Sequence, residues 1–333
     1  MSNFQISIAF QSNKTPMQYR ALAQLVNRYA FSHVSVYNDL TFQPALGPLL
    51  LMAPELQRAQ LGPACLNPFT VHPMEIAGQI AVLDQATQGR AYLGIARGAW
   101  LESLGVNPAQ PIAGVREAIQ IFQQLLAGER CVFQGRVFQL GEAHYLPYER
   151  FRSRIPVMVG AWGPKLATVA GELADEVKVS PIAHPPGVAH IRKAMDDGAR
   201  KAGRSPDAVK LVLGGMCVID NERARARDLA RREVSRYLDV VAPLDPTFPM
   251  DDDWFARFKQ ARQSEDWDAT AKLISDEILD RFVYAGNATD LIRLLENARA
   301  HGIARVELGT PHGIDEAEGV RLLGEQVLPH FTQ

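Results

Sequence analysis

Short apolar, β-branched runs alternate with helical patterns about eight times along this chain of 333 residues. The predicted strands are Gln5–Phe10, His33–Tyr37, Gln60–Leu66, Ala91–Ala96, Ile155–Val159, Glu176–Ser180, Lys210–Ile219 and Arg305–Gly309. Helical spacing lies between them. Pro16–Tyr29 is one case; Pro73–Gln88 carries Ile76, Ile80 and Leu83 on one face and stops at Gly89; Val115–Ala127 stops at Gly128. A last helix starts at Asp315, an N-cap with Glu318 three residues on in a capping-box relation. Strand–helix alternation repeated eight times predicts an α/β fold, a (β/α)8 TIM barrel, over an open sheet. The strands read as apolar on both sides of the alternation, as parallel strands covered on both faces should be.

Two stretches exceed a minimal barrel. One insertion, about 100–150, follows strand four and holds a hairpin pattern at Cys131–Leu140 turning at Gln134-Gly135. The other, 241–282, lies between strands seven and eight and is Pro-rich, then acidic, then helical. The whole of 1–333 is expected to be one barrel domain, with both insertions building the mouth of the site. Asp251-Asp252-Asp253 reads as a helix cap and solvated turn, and no metal is expected.

A net charge of −2 leaves no electrostatic footprint for nucleic acid or an anionic membrane. The basic run Glu222–Arg236 is interleaved with acids and reads as the solvated face of one helix. Cys65, Cys131 and Cys217 are odd in number and widely spaced, which suggests neither a disulfide framework nor a zinc site. Without a leader-like start or an apolar run near the ~18 residues a span needs, a cytoplasmic location is expected.

The segment Arg154–Lys165 points to chemistry. A buried-strand pattern ends in Gly160-Ala161-Trp162-Gly163, and Pro164-Lys165 then opens a helix. Pro suits the first helical position, glycines let backbone N–H groups approach a ligand, and a helix N-terminus favours negative charge. The segment reads either as a phosphate-holding turn or as a plain tight turn with a lysine. Four more predicted strand ends carry polar, glycine or aromatic residues: Val36-Tyr37-Asn38-Asp39, Leu61–Pro73, Leu93–Glu102 and Leu308–Gly313. Together they suggest a planar, phosphate-bearing small molecule lying across the barrel mouth.

Several of these motifs carry a resemblance to a known family: Gly62-Pro63-Ala64-Cys65-Leu66-Asn67-Pro68-Phe69-Thr70-Val71-His72-Pro73, Gly89–Gly98, Leu126-Ala127-Gly128-Glu129, Val159–Lys165 and Ala170–Asp175. In order and spacing the chain resembles the luciferase-like superfamily, and within it the coenzyme F420-dependent branch typified by 5,10-methylenetetrahydromethanopterin reductase. The resemblance runs from Ile6 to about Phe331. It implies an F420-dependent oxidoreductase that moves hydride between the deazaflavin C5 and a small organic substrate, in a homodimer. It also implies a non-prolyl cis peptide at Ala64–Cys65 behind the ring, ring contacts from Asn38, Asp39 and Asn67, and a phosphate held by Gly160, Ala161, Trp162, Gly163, Pro164 and Lys165. Arg97, Gly98 and Trp100 would border the ring and the substrate entrance, and Asp39, His72 and His312 are the candidate proton donors or acceptors, His72 reading equally as a cap of the helix at Pro73. An FMNH2-dependent monooxygenase with FMN in place of F420 is the alternative; a non-catalytic flavin-binding barrel is the alternative of another class.

The chain departs from the family pattern in three places. It has Asn38-Asp39 before Leu40 where relatives often carry Asp-His, and Gly94-Ile95-Ala96-Arg97-Gly98 where the pterin reductases favour Gly-x-Gly-Pro-Gly. An acidic residue expected near the end of strand one is absent, with Gln11 in that neighbourhood. These changes bear on the pterin substrate more than on the cofactor class.

Overall fold

A computed structural model describes residues 4–332. Its strands are β1 (Gln5–Phe10), β2 (His33–Tyr37), β3 (Gln60–Ala64), β4 (Leu93–Ala96), β5 (Cys131–Gln134), β6 (Gln139–His144), β7 (Val157–Gly160), β8 (Glu176–Val179), β9 (Lys210–Ile219), β10 (Val283–Gly286) and β11 (Arg305–His312). All pairings in the main sheet are parallel, in the order β3-β2-β1-β11-β9-β8-β7-β4. Parallel bridges Leu61–Ala91 and Leu66–Ile95 join its two edges, which closes the eight expected strands into the barrel.

Strand β10 was not among the expected strands. It pairs with Met216–Ile219 of β9, past the part of β9 that β8 covers. The hairpin β5–β6 lies where the Gln-Gly turn placed it. Its turn is held by Glu117, whose carboxylate accepts the backbone N–H groups of Arg136, Val137 and Phe138 at 2.7–2.9 Å.

Local signals set the helix starts. Thr15 and Gln18 form a capping box ahead of Pro16, and Asp251 caps the helix Asp252–Gln263 by accepting the Trp254 N–H. Asp315 accepts the Glu318 N–H, but the Glu318 carboxylate turns to Arg321, so only half of the expected capping box forms.

The alternation along the barrel strands differs from expectation. Outward residues such as Ile6, Ile8, Val34, Val36, Val157, Val159, Val177, Val179, Val306 and Leu308 pack against the helices as one core. Inward positions are polar or small: Ser7, His33, Ser35, Tyr92, Lys178, Arg305 and Glu307 are all buried. The strands are therefore apolar mainly on one side, because the inner side, apart from Met158 and Val212, houses an ionic cluster where branched aliphatic layers fill many barrels.

The 241–282 insertion folds as helices Asp252–Gln263, Trp267–Lys272 and Asp276–Phe282. Phe248, Phe258, Ile274, Leu279 and Phe282 form a second apolar cluster on the C-terminal half of β9 and on β10. The basic run is only partly a solvated face. Arg227 is buried and donates to Asp280 at 2.7 Å, to Asp276 at 3.2 Å and to the Ala285 carbonyl at 3.1 Å. Arg227→Met is expected to cost about 2 kcal/mol in urea unfolding, through the lost charged hydrogen bonds. Hydrogen exchange should quicken first in Asp276–Phe282; unchanged exchange there would show that the arginine does not hold the insertion.

Candidate active site

Along the inward faces, exposure begins at one level. On β2, His33 and Ser35 are buried while Tyr37 is half-buried, and at the end of β3 Ala64 is buried while Cys65 is half-buried. Tyr37 and Cys65 therefore form the floor of an opening at the C-terminal ends of the strands.

Beneath that floor the side chains form an ordered ionic column. Lys178 pairs with Glu307, Arg305 pairs with Glu176, and Arg305 also lies 3.6 Å from Glu307. Ser35 donates to Glu307 and receives the Tyr92 hydroxyl at 2.6 Å, while Arg305 donates to Ser7 at 2.8 Å. Lys178 and Glu307 come from strands on either side of β9 and meet across Gly214, where a Cβ would fall 2.8 Å from the lysine Cε. Burial alone would raise the pKa of Glu307, but the facing Lys178 and Arg305 outweigh it and hold the carboxylate below its usual range.

At floor level the Lys178 ammonium lies 5.4 Å from the centroid of the Tyr37 ring. Burial, then the carboxylates of Glu307 and Asp39, push the Tyr37 phenol well above its ordinary pKa, so it stays neutral. Burial likewise pushes the Cys65 thiol up to about 11, against the pull of Lys178. The alkylation rate of Cys65 should therefore rise about ten-fold per pH unit from pH 7 toward 11, with iodoacetamide labelling followed by mass spectrometry. A rate that levels off near pH 8 would contradict this environment.

The walls hold the expected residues in different ways. The Ala64–Cys65 peptide is cis. Asp39 is half-buried at the rim, where Gln11 Nε2 donates to its Oδ2 at 3.1 Å. Asn38 is turned to the protein, and its Oδ1 accepts the Ala45 N–H at 2.9 Å. Asn67 is buried; its Oδ1 accepts from the N–H of Phe69 and Thr70 and from the Thr70 hydroxyl, and its amide packs on Gly98. Arg97 is exposed, and Trp100 is 66% exposed in a left-handed conformation.

Two of the three proton-transfer candidates are engaged elsewhere. His72 Nδ1 accepts the Met74 N–H and caps its helix, and the ring meets Phe138 edge-on. His312 is fully buried, with its ring 5.0 Å from Phe10 and its Nε2 donating to the Leu308 carbonyl. It lies there because β11 runs three residues beyond its expected end at Gly309 and carries His312 into the packing. Of the three, Asp39 alone neither caps a helix nor lies fully buried.

The turn Gly160–Lys165 follows β7. Ala161 N–H donates to the Lys178 carbonyl, and the Trp162 indole donates to the Ser180 carbonyl at 2.6 Å, which pins the turn to β8. The helix Pro164–Leu173 then starts with no side-chain cap, and Gly163, Pro164 and Lys165 are exposed. Its first N–H groups are thus free for an anion, with the Lys165 charge in the same turn. This fits a phosphate-bearing ligand, and the half-exposed floor fits a flat one.

At the opposite, N-terminal end of the strands a cavity of about 220 Å³ is lined by Gln5, His33, Gln60, Tyr92, Glu176 and Lys210 among others. The column separates it from the floor. Sequence reasoning placed Tyr37 at a strand end without giving it a role, and missed Lys178 and Glu307. The available signal was the two-residue period of Glu176/Lys178 and Arg305/Glu307 within otherwise apolar strands.

Comparison with known proteins bears on this geometry. A family model described as luciferase-like monooxygenase matches residues 3–305. The 5,10-methylenetetrahydromethanopterin reductase of Archaeoglobus fulgidus is 30% identical over 291 residues, 84% of this chain and 86% of that one. The F420-dependent glucose-6-phosphate dehydrogenase of Nakamurella multipartita is 28% identical, over 63% of this chain and 66% of that one. Among solved structures, the coenzyme F420-dependent tetrahydromethanopterin reductase of Methanopyrus kandleri superposes with a TM-score of 0.91 at 24% identity, covering 99% of this chain and 100% of that one. That similarity establishes a shared fold.

Proposed function

Because this chain belongs to the luciferase-like monooxygenase family, we propose that it is a coenzyme F420-dependent oxidoreductase acting on a small organic substrate. The observation that carries the reading is the uncapped helix start at Gly163–Lys165, opening beside a half-exposed floor at the strand ends. When bound, F420 supplies hydride chemistry at its deazaflavin C5.

The protein's share is binding, orientation and exclusion of water. Lys165 and the free N–H groups of the first helical turn hold the phosphate, with Gly160, Ala161, Trp162, Gly163 and Pro164 shaping the approach. Ala64, Cys65 and Asn67 back the ring, Asn38 sets the loop beside it, and Arg97 and Gly98 border it. Trp100 lines the substrate entrance. Where the substrate is an alcohol or a carbonyl, Asp39 takes or returns the proton, its carboxylate oriented by Gln11 through Oδ2. We further infer a cytoplasmic homodimer, an expectation that light scattering of the purified protein tests for its dimer half. Among the described residues no helix is long and apolar enough to cross a membrane.

Titration of the purified protein with F420 and with FMN, followed by turnover assays with oxidised and reduced F420 over a substrate panel, tests the reading. The expected result is tight F420 binding and a change in its redox state with at least one substrate. Tight FMN binding without F420 binding would favour the FMNH2-dependent monooxygenase. Binding without any redox change would favour a non-catalytic barrel.

A further inference from the structure

The floor residue Tyr37 has a setting that its rim position alone does not require. Its ring reaches across the barrel so that the hydroxyl lies against Gly309, where any Cβ would overlap it. One face of the ring meets the Lys178 ammonium from below. Lys178 is itself held by buried Glu307, which Ser35 and Arg305 hold in turn. An exposed aromatic at a loop tip swings freely. This one is held at its hydroxyl end by backbone and on one face by a charge, and it is still only half-buried. The neutral phenol, flanked by Glu307 and Asp39, retains its proton as a hydrogen-bond donor.

We propose that Tyr37 is the floor plate that contacts the flat ring of the bound cofactor, and that the buried Lys178–Glu307 pair is the positioning device that keeps the plate in plane. The inference rests on the cofactor reading above and adds a contact residue and its support to it. A rigid, pre-placed aromatic surface binds a planar ring without first losing side-chain freedom. Cys65, half-buried beside it, completes the floor with little bulk.

The test compares wild type, Tyr37→Phe, Tyr37→Leu and the pair Lys178→Met/Glu307→Gln in titrations with F420 and with FMN. Ring fluorescence is the readout, and circular dichroism checks folding. Wild type should quench the ring fluorescence on binding. Tyr37→Leu should lower affinity about ten-fold and relieve the quenching, while Tyr37→Phe keeps most of the affinity. The double variant, with Tyr37 intact, should give partial relief of quenching, a change that lost stability alone does not produce. A Tyr37→Leu protein with wild-type affinity and wild-type quenching would overturn the proposal. If the wild type takes FMN and not F420, the cofactor reading fails while the Tyr37 comparison is decided on FMN. A wild type that binds neither ring overturns both.

Discussion

Replacing Gly163 by aspartate is expected to make the fold slightly more stable and the cofactor site at least about ten-fold weaker, two effects of opposite sign from one side chain. Gly163 sits at φ −114°, ψ 143°, close to Asp251 (−106°, 120°) and Asp315 (−109°, 131°), which cap their own helices through side-chain carboxylates. Nothing lies within 4 Å of a Cβ built at Gly163. The new carboxylate should accept the Leu166 N–H and gain a few tenths of a kcal/mol, plus about 0.3–1 kcal/mol from the helix dipole. It would then occupy the amides that an incoming phosphate needs and repel that phosphate. Thermal melts and cofactor titration of the same variant check both signs. A variant that is more stable yet binds as tightly as wild type would mean that the anion is held elsewhere.

Lys178→Met should be the most damaging single change among those considered, costing about 3–5 kcal/mol in chemical denaturation. The loss comes from stranding a fully buried Glu307 without its nearest cation. Adding Glu307→Gln should restore most of it, because the stranded charge is gone. If the single and double variants are equally stable, the pair contributes little as a pair. Acid should act on the same carboxylate. Its folded-state pKa is depressed below the ordinary 4.5, so its contribution is fully present above that value. The contribution is lost as pH falls through 4.5 to the folded-state pKa. The double variant should therefore show a shallower loss of stability in this range than wild type.

The barrel was legible because its signals are local. Apolar runs ending in glycine or polar residues, and helices with a start and a stop, recur often enough to count. Strand β10 escaped because the helix Asp276–Phe282 runs straight into Val283, with no turn residue between the helical and the extended segment. The inner column escaped for a different reason. Glu176, Lys178, Arg305 and Glu307 read as ordinary charged positions in their own segments. They become a cluster only when the sheet closes and Gly214 lets β8 and β11 side chains meet across β9.

The same limit applies to the site. The turn Gly160–Lys165 could be recognised from its own residues. The burial of His312 depends on where β11 stops, whereas the cap by His72, directly before Pro73, is a local feature in which the Met74 N–H donates to its Nδ1. Tyr37 stood next to Asn38 and Asp39 in the sequence and was passed over, since its place as a floor follows from Lys178, 141 residues away, and from Gly309 on another strand.

A crystal structure of the protein soaked with F420 tests the central claim most directly. The flat ring should lie over Tyr37 and Cys65, with the phosphate within hydrogen-bond reach of the first N–H groups of the helix that begins at Pro164. A ring bound instead in the N-terminal cavity by His33 and Lys210, or a phosphate away from Gly163–Lys165, would contradict it.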